Sequence, residues 1–192
     1  MTVTTDYEAP PQNLEAEESV LGALLLAGWH GVGEKTLPRV LAAGLEPGHF
    51  FRPSHGAIFA AMLSLTERNG SIDPLCVERE LERQGALEAA GGTSRVRELA
   101  HSASATANAP HYARLVVDSA ARREEFAIGK ELHAAAMSGE DLRPELIARI
   151  RALIDRCDGT PRSVALQPLN LAEFLAGDPP ETSDGEELPH AA

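Results

Sequence analysis

Residues 31–36 read Gly-Val-Gly-Glu-Lys-Thr and come closest in this chain to a nucleotide-binding motif. A phosphate-binding P-loop needs Gly, Lys and Ser or Thr in succession after a strand, because backbone amides and the ammonium group must converge on the phosphates. Here Glu34 interrupts that order with a negative charge, and the residues before it have a helical pattern. The segment is therefore interpreted as a glycine-broken loop, and ATP hydrolysis by this chain is not expected.

Seven histidines and two cysteines are the other residues that suggest chemistry. His49 and His55 flank a Phe-Phe-Arg-Pro run, but no carboxylate or cysteine stands at metal-ligand spacing to join them. Cys76 and Cys157 are too few and too far apart for a disulfide framework or a zinc site. No Ser, Cys or carboxylate pair forms a recognisable nucleophile or acid–base group. The histidines are interpreted as surface or packing residues, and the sequence predicts no catalytic residue, no cofactor and no metal.

The composition favours an aliphatic helical core and an acidic surface. Hydrophobic residues make up 43% of the 192 residues but aromatic residues only 4%, which favours helices over sheets. The net charge is −12, and an acidic protein repels the phosphate backbone of nucleic acids. Direct tight DNA binding is therefore not expected. No secretory h-region or long apolar run is present, so the chain is expected to be cytoplasmic, with no membrane contact.

The first residues of the chain predict an arm followed by two helices. Residues 1–12 are polar, show no period and end in two prolines, so they are expected to form a flexible arm. Asn13 is expected to cap a helix over residues 14–27, where Glu17 and its acidic neighbours favour the positive end of the helix dipole. One apolar stripe at helical spacing consists of Ala16, Val20, Leu21, Leu24 and Leu25. Glycines break this pattern, and a second, short helix is expected over residues 36–43.

Three further helices are predicted from their start signals. Pro53 is expected at the first position of a helix with these core-facing residues: Ile58, Phe59, Met62, Leu63 and Leu65. Asp73 followed by Pro74 repeats the signal for a helix with these apolar positions: Leu75, Val77 and Leu81. Thr93 is expected to cap a fifth helix, and no stretch alternates long enough to predict a strand. Residues 13–109 are thus expected to form a compact helical bundle.

A long antiparallel helical hairpin is expected to follow, completing an all-α fold. Residues 109–137 contain a single glycine and no proline beyond the first turn, which predicts one long helix. After a short connector at residues 138–141, a second helix is marked by apolar residues: Leu142, Leu146, Ile147, Ile150, Leu153, Ile154 and Cys157. The short connector makes the two helices of residues 110–157 antiparallel neighbours.

The charge is distributed unevenly along the chain. Residues 110–158 hold eight basic and nine acidic side chains, whereas residues 159–192 hold one basic and six acidic ones. The segment 158–192 is rich in Pro, Gly and acidic residues, and apart from an apolar island at residues 169–175 it is expected to be disordered.

The apolar band of the hairpin is the candidate interaction surface. It is wider than one partner helix needs to cover, and we predict that it mediates self-association or partner binding. The alternative is that these side chains only pack on one another and on the bundle. The predicted surface residues are Tyr112, Leu115, Val116, Leu146, Ile147, Ile150, Leu153 and Ile154.

Two long blocks carry a resemblance to a known family. Residues 11–25 read PQNLEAEESVLGALL and residues 45–59 read LEPGHFFRPSHGAIF. Shorter blocks follow in fixed order: IDP at 72–74, LERQG at 81–85, the glycine pair at 91–92, ANA at 107–109, YARLV at 112–116 and the arginine pair at 122–123. Over residues 10–157 the chain resembles the N-terminal domain of DnaB-type replicative DNA helicases.

This resemblance implies a function without catalysis. In the family, ATP hydrolysis belongs to a separate RecA-like domain, whereas the N-terminal domain forms a collar that self-associates through its hairpin and binds primase. The chain is therefore expected to be an interaction and oligomerisation module of the bacterial replication (primosome) machinery, with itself, primase or a replicative helicase as partner. The alternative is an N-terminal fragment of an ATP-dependent helicase whose motor domain is missing here. A DNA-binding regulator, the third class considered, conflicts with the charge.

Overall fold

A computed structural model of the chain describes residues 9–102, 105–139 and 141–158, with side chains as far as residue 156. Within these residues the secondary structure is entirely helical, without strands, which confirms the predicted all-α fold. Seven α-helices are present in this part of the chain: α1 (Leu14–Trp29), α2 (Gly33–Leu41), α3 (Pro53–Glu67), α4 (Pro74–Arg83), α5 (Gly92–Ser102), α6 (Ala109–Ser138) and α7 (Pro144–Asp158). Short 3₁₀ helices at Pro47–His49 and Thr106–Asn108 precede α3 and α6.

The predicted start signals of α1, α3 and α4 are confirmed. The Asn13 side chain accepts a hydrogen bond from the amide of Ala16 at 3.0 Å, and Asp73 accepts one from the amide of Cys76 at 3.0 Å. Pro53 is the first residue of α3. Each cap satisfies an amide that has no partner inside its own helix, so each helix begins where its local sequence dictates.

Two helix starts differ from the prediction. Helix α2 begins at Gly33 and ends at Leu41, so it is displaced from the expected residues 36–43. The cause is Val32, whose carbonyl accepts hydrogen bonds from the amides of Lys35 and Thr36 and extends the helix through the predicted glycine loop. Helix α5 begins at Gly92, which places Thr93 inside the first turn and not at the cap.

Helix α1 lies at the centre of the bundle and is buried on more than the one predicted face. It contacts all five helices from α2 to α6. Besides the predicted stripe, the small residues Gly22, Ala23 and Ala27 are buried, because their size allows neighbouring helices to approach on additional sides. The largest fully buried apolar residues of the core are Leu21, Leu24, Leu25, Leu37, Leu45, Ile58, Phe59, Met62, Leu81 and Leu99.

Several of the predicted apolar positions are exposed or only partly buried. Leu75 is 55% exposed, because α4 turns Val77 and Leu81 inward instead. Leu63 and Leu65 of α3 are only partly buried against the core. Leu142 precedes α7 and is 40% exposed.

The chain divides into two units, residues 1–151 and residues 152–192. Of the second unit the structure describes residues 152–158, the C-terminal turns of α7. Most of the predicted arm (residues 1–8) and of the predicted tail (residues 159–192) lies outside the described residues, as does the apolar island of the tail.

Candidate interaction surface

The α6 part of the predicted surface lies beside the core of the bundle. Val116 is 1% exposed and belongs to the core cluster together with Ala109 and Ala113 of the same helix. This corrects the prediction for Val116, because a side chain already enclosed by its own chain offers no area to a partner. Tyr112 and Leu115 are partly buried against that cluster, so they retain exposed area.

The α7 part of the predicted surface is graded from buried to exposed along the helix. Leu146 is 3% exposed, and it is therefore also covered within the chain. Ile147, Ile150 and Leu153 are half-buried. Ile154 is 52% exposed. The apolar residues of α7 beyond Leu146 are thus only partly covered by this chain.

Two ion pairs join α7 to α6 and a third joins Arg143, the residue before α7, to α6; the sequence reasoning did not identify them. Arg149 Nε donates to Glu124 Oε1 at 2.7 Å, and its Nη1 donates to Glu131 Oε1 at 2.5 Å. Arg143 Nη2 lies 3.3 Å from Glu131 Oε2. The hydrogen bonds that Arg149 donates to the two glutamates, Glu124 first, raise the pKa of Arg149 above its already high value. The later arginine, Arg149, reaches the earlier glutamate, Glu124, so the two helices are antiparallel. The two glutamates seven residues apart on α6 were the sequence signal for these contacts.

Arg123 connects α6 to the N-terminal half of the chain. Its Nη2 donates to the carbonyl of His49 at 2.6 Å and its Nη1 to the carbonyl of Pro11 at 3.3 Å. Its guanidinium also lies 5.7 Å from the centre of the Phe51 ring, a cation–π distance. The last residues before α1 and the segment before α3 are therefore both anchored on one side chain of the long helix.

A buried carboxylate–histidine pair holds the segment before α3 against α1. The amides of Phe51 and Arg52 donate to the two Glu17 oxygens at 2.6 and 3.4 Å. His55 Nδ1 lies 2.8 Å from Glu17 Oε2, with the two side chains 0% and 1% exposed. Burial raises the pKa of Glu17, but the hydrogen bonds from His55, Phe51 and Arg52 outweigh it and hold that pKa below its usual value. Glu17 is thus a buried structural anchor, whereas the sequence predicted only a favourable interaction with the helix dipole.

The partners of His55 define its protonation pattern. Arg95 Nη2 lies 3.2 Å from His55 Nε2 and 2.5 Å from Glu18 Oε1. Because a guanidinium has no acceptor, His55 Nε2 must accept and Nδ1 must carry the proton that it donates to Glu17. His55 is therefore a buried packing residue whose two ring nitrogens both have partners within the chain.

The described residues offer no cluster of three or more His, Cys, Asp or Glu side chains that could hold a metal ion. The two other buried carboxylates are used in ion pairs. Glu78 binds Arg97 in a bidentate pair at 2.8 and 3.0 Å, and Glu80 binds Arg68 and Arg83. These carboxylates thus hold helices together.

Comparison with known proteins identifies the family. The family model described as the DnaB-like helicase N-terminal domain matches residues 9–118, which include α1 to α5 and the first third of α6. The chain belongs to this family. The crystal structure of the N-terminal domain of DnaB helicase from Mycobacterium tuberculosis is similar, with 33% identity and a TM-score of 0.65. The alignment covers 77% of this chain and 99% of that structure.

The similar curated proteins are longer helicases. Replicative DNA helicase DnaC of Bacillus subtilis is 30% identical over 154 residues, which is 80% of this chain and 32% of the helicase. Replicative DNA helicase DnaB of Rhodothermus marinus is 38% identical over 114 residues, 59% of this chain and 11% of that protein. This DnaB N-terminal domain chain therefore spans a third or less of the curated relatives that it matches. In the part of the chain that the structure describes, no helix is long and apolar enough to cross a membrane.

Proposed function

We propose that this DnaB N-terminal domain acts as a non-catalytic interaction and oligomerisation module of the bacterial DNA replication machinery. The observation that carries the proposal is the incomplete cover of α7. Arg149 binds two glutamates of α6, so the part of α7 within the first unit, residues 144–151, is held in place, yet Ile147 and Ile150 are only partly covered there. A fixed helix with incompletely covered isoleucines is a typical site for another apolar surface.

A second copy of the chain is the proposed first partner of this surface. The amended surface consists of the predicted residues of the first unit that keep exposed area: Tyr112, Leu115, Ile147 and Ile150. Primase or a replicative helicase is the proposed further partner, since the relatives are named replicative DNA helicases. The net charge of −12 supports protein partners over direct tight binding to DNA.

Substitution of Ile150, near the middle of α7, tests the proposal. Ile150→Asp would place an unpaired carboxylate in the interface and should weaken association by several kcal/mol. Ala148→Asp is the matched control, because Ala148 is exposed on the same helix. Sedimentation should show an oligomer for the wild type and Ala148→Asp and a monomer for Ile150→Asp, with equal helical content by circular dichroism. A wild type that is monomeric at tens of micromolar would show that the apolar band serves internal packing alone.

The second candidate function is that of the N-terminal part of an ATP-dependent helicase. The observation that favours it is coverage, because the chain matches 32% of the Bacillus helicase and 11% of the Rhodothermus one. An antibody raised against the purified chain separates the two candidates in a blot of source cells. A band near 20.4 kDa supports an independent module, whereas a band of roughly two and a half times that mass supports part of a helicase, because the 154 aligned residues are 32% of the Bacillus helicase.

A further inference from the structure

A cleft of about 510 Å³ opens between the C-terminal end of α1 and the helices α4 and α5. Its two apolar walls are Trp29, which is 59% exposed, and Leu75, which is 55% exposed. Exposure of an aromatic side chain and a leucine on the same cleft leaves apolar area in water. The described part of the bundle does not cover this pair.

The backbone brings these two side chains to one cleft. Gly28 packs so closely on the chain before α4 that a β-carbon on it would lie 2.5 Å from the carbonyl carbon of Ile72. The next residue in α1, Trp29, therefore stands beside the first turn of α4, which carries Leu75. The ring of His101, which also lines the cleft, meets the Trp29 ring edge-on with 6.0 Å between the ring centres.

Three charged side chains line the cleft, namely Asp73, Glu78 and Arg97, and Arg97 is the most exposed of them. Glu78 binds the Nε–Nη2 edge of this guanidinium, but the Glu78 side chain is 7% exposed whereas that of Arg97 is 60% exposed. A guanidinium has five donors arranged on two usable edges, so the end of Arg97 with Nη1 can bind a second carboxylate. An occupant that fits the cleft therefore combines apolar side chains with a carboxylate.

We propose that this cleft docks an acidic amphipathic helix of a partner protein. Two apolar side chains one turn apart would contact Trp29 and Leu75, and a neighbouring Asp or Glu would bind Arg97. The volume suits a few side chains, as in a helix-in-groove contact, and is too small for a domain interface. This docking site is separate from the α6–α7 surface and does not depend on self-association.

The only tryptophan of the chain makes the cleft directly observable, because Trp29 alone reports in tryptophan fluorescence. The probe is an alanine-based helical peptide of about 16 residues with two leucines one turn apart and an adjacent glutamate. Binding should shift the Trp29 emission to shorter wavelength. Leu75→Ala should weaken binding about tenfold, as truncation of a central contact does. The matched control is Leu41→Ala, because Leu41 is another exposed leucine, at 40%. This substitution should leave the affinity for the peptide unchanged.

A second peptide with lysine in place of the glutamate tests the contact with Arg97. It should bind about five- to tenfold more weakly than the glutamate peptide, and the difference should shrink in high salt. No emission shift up to about 1 mM peptide, or equal effects of Leu75→Ala and Leu41→Ala, would overturn the proposal. An emission of the free chain that depends on its own concentration, or on the presence of residues 159–192, would assign the cleft to another occupant and would also overturn it.

Discussion

Glu17 of α1 and His55 of α3 are joined by a hydrogen bond of 2.8 Å across 38 residues of sequence, with both side chains excluded from solvent. The same carboxylate binds the amides of Phe51 and Arg52. One buried group thus connects the first helix to the segment that starts the third. The two sequence blocks that first suggested the family meet at this contact.

Glu17→Gln should destabilise the fold although it preserves the shape of the side chain. The amide NH2 would face either the Phe51 amide or the Nδ1–H of His55, so one buried donor loses its acceptor at a cost of about 1–3 kcal/mol. Changing the tautomer of His55 cannot repair this, because its Nε2 must accept from Arg95. Urea unfolding measures the difference, with Glu15→Gln, exposed in the same first turn, as the control. Equal midpoints for the two variants would contradict the assigned role of Glu17.

Stability should fall in acid, and Glu80 should contribute to that fall. Hydrogen bonds from Arg83 first, then from Arg68 and other neighbours, lower the pKa of Glu80 far below 4.5 despite its burial. The unfolded chain therefore takes up the proton at higher pH than the folded chain. The contribution of Glu80 is fully present above pH 4.5 and is lost as the pH falls through the lower folded-state pKa.

Urea unfolding of wild type and Glu80→Gln at a series of pH values tests this expectation. The stability difference between them should be largest near neutral pH and should narrow steadily below about pH 4.5. Glu82→Gln, exposed on the same helix, should show a small difference at every pH. A Glu80→Gln difference that stays constant into strong acid would rule out the ion pairs as its cause.

Two glycines in helices should respond oppositely to the same substitution. Gly28→Ala would place a β-carbon 2.5–2.7 Å from backbone atoms of Ile72 and Asp73, and overpacking of this kind costs about 1–3 kcal/mol or more. Gly129→Ala, in the exposed middle of α6 with no atom within 4 Å of the new carbon, should stabilise by up to about 1 kcal/mol. Thermal unfolding should therefore give a lower midpoint for the first variant and a higher one for the second. A tolerated Gly28→Ala would mean that α1 and the chain before α4 are less closely packed than described.

Arg149→Met should loosen the part of α7 that follows Pro144. Removing both glutamate contacts of Arg149 leaves α7 without its main polar attachment to α6, so amide hydrogen exchange at residues 144–151 should become several-fold faster. Arg151→Met, exposed on the same helix, is the control and should leave exchange unchanged. High salt should speed the exchange of the wild type in the same residues, because salt screens exposed ion pairs. If neither Arg149→Met nor high salt changes the exchange rate, apolar contacts and not ion pairs hold this part of α7 on α6.

Local signals in the sequence predicted the helices, but not the contacts between distant parts of the chain. The caps at Asn13 and Asp73 depend on amides three residues away, so they could be predicted. The role of Glu17 depends on residues 34 to 38 positions later, and no local pattern contains it. Periodicity also shows that Leu75 and Val116 lie on apolar faces without showing which face meets the core. Periodicity therefore could not predict that Val116 is buried in the core and that Leu75 is exposed to solvent.

The contacts of Arg123 attach α6 to the N-terminal half of the chain, and the helix continues well beyond this point of attachment. Fifteen residues separate Arg123 from Ser138, where the helix ends, a length of about 22 Å at the rise of an α-helix. A tilt of about 10° at the attachment therefore moves the tip by about 4 Å over that length. A tilt of α6 that followed a small rearrangement around Pro11, His49 and Phe51, the contacts of Arg123, would therefore be amplified at the far end of the helix.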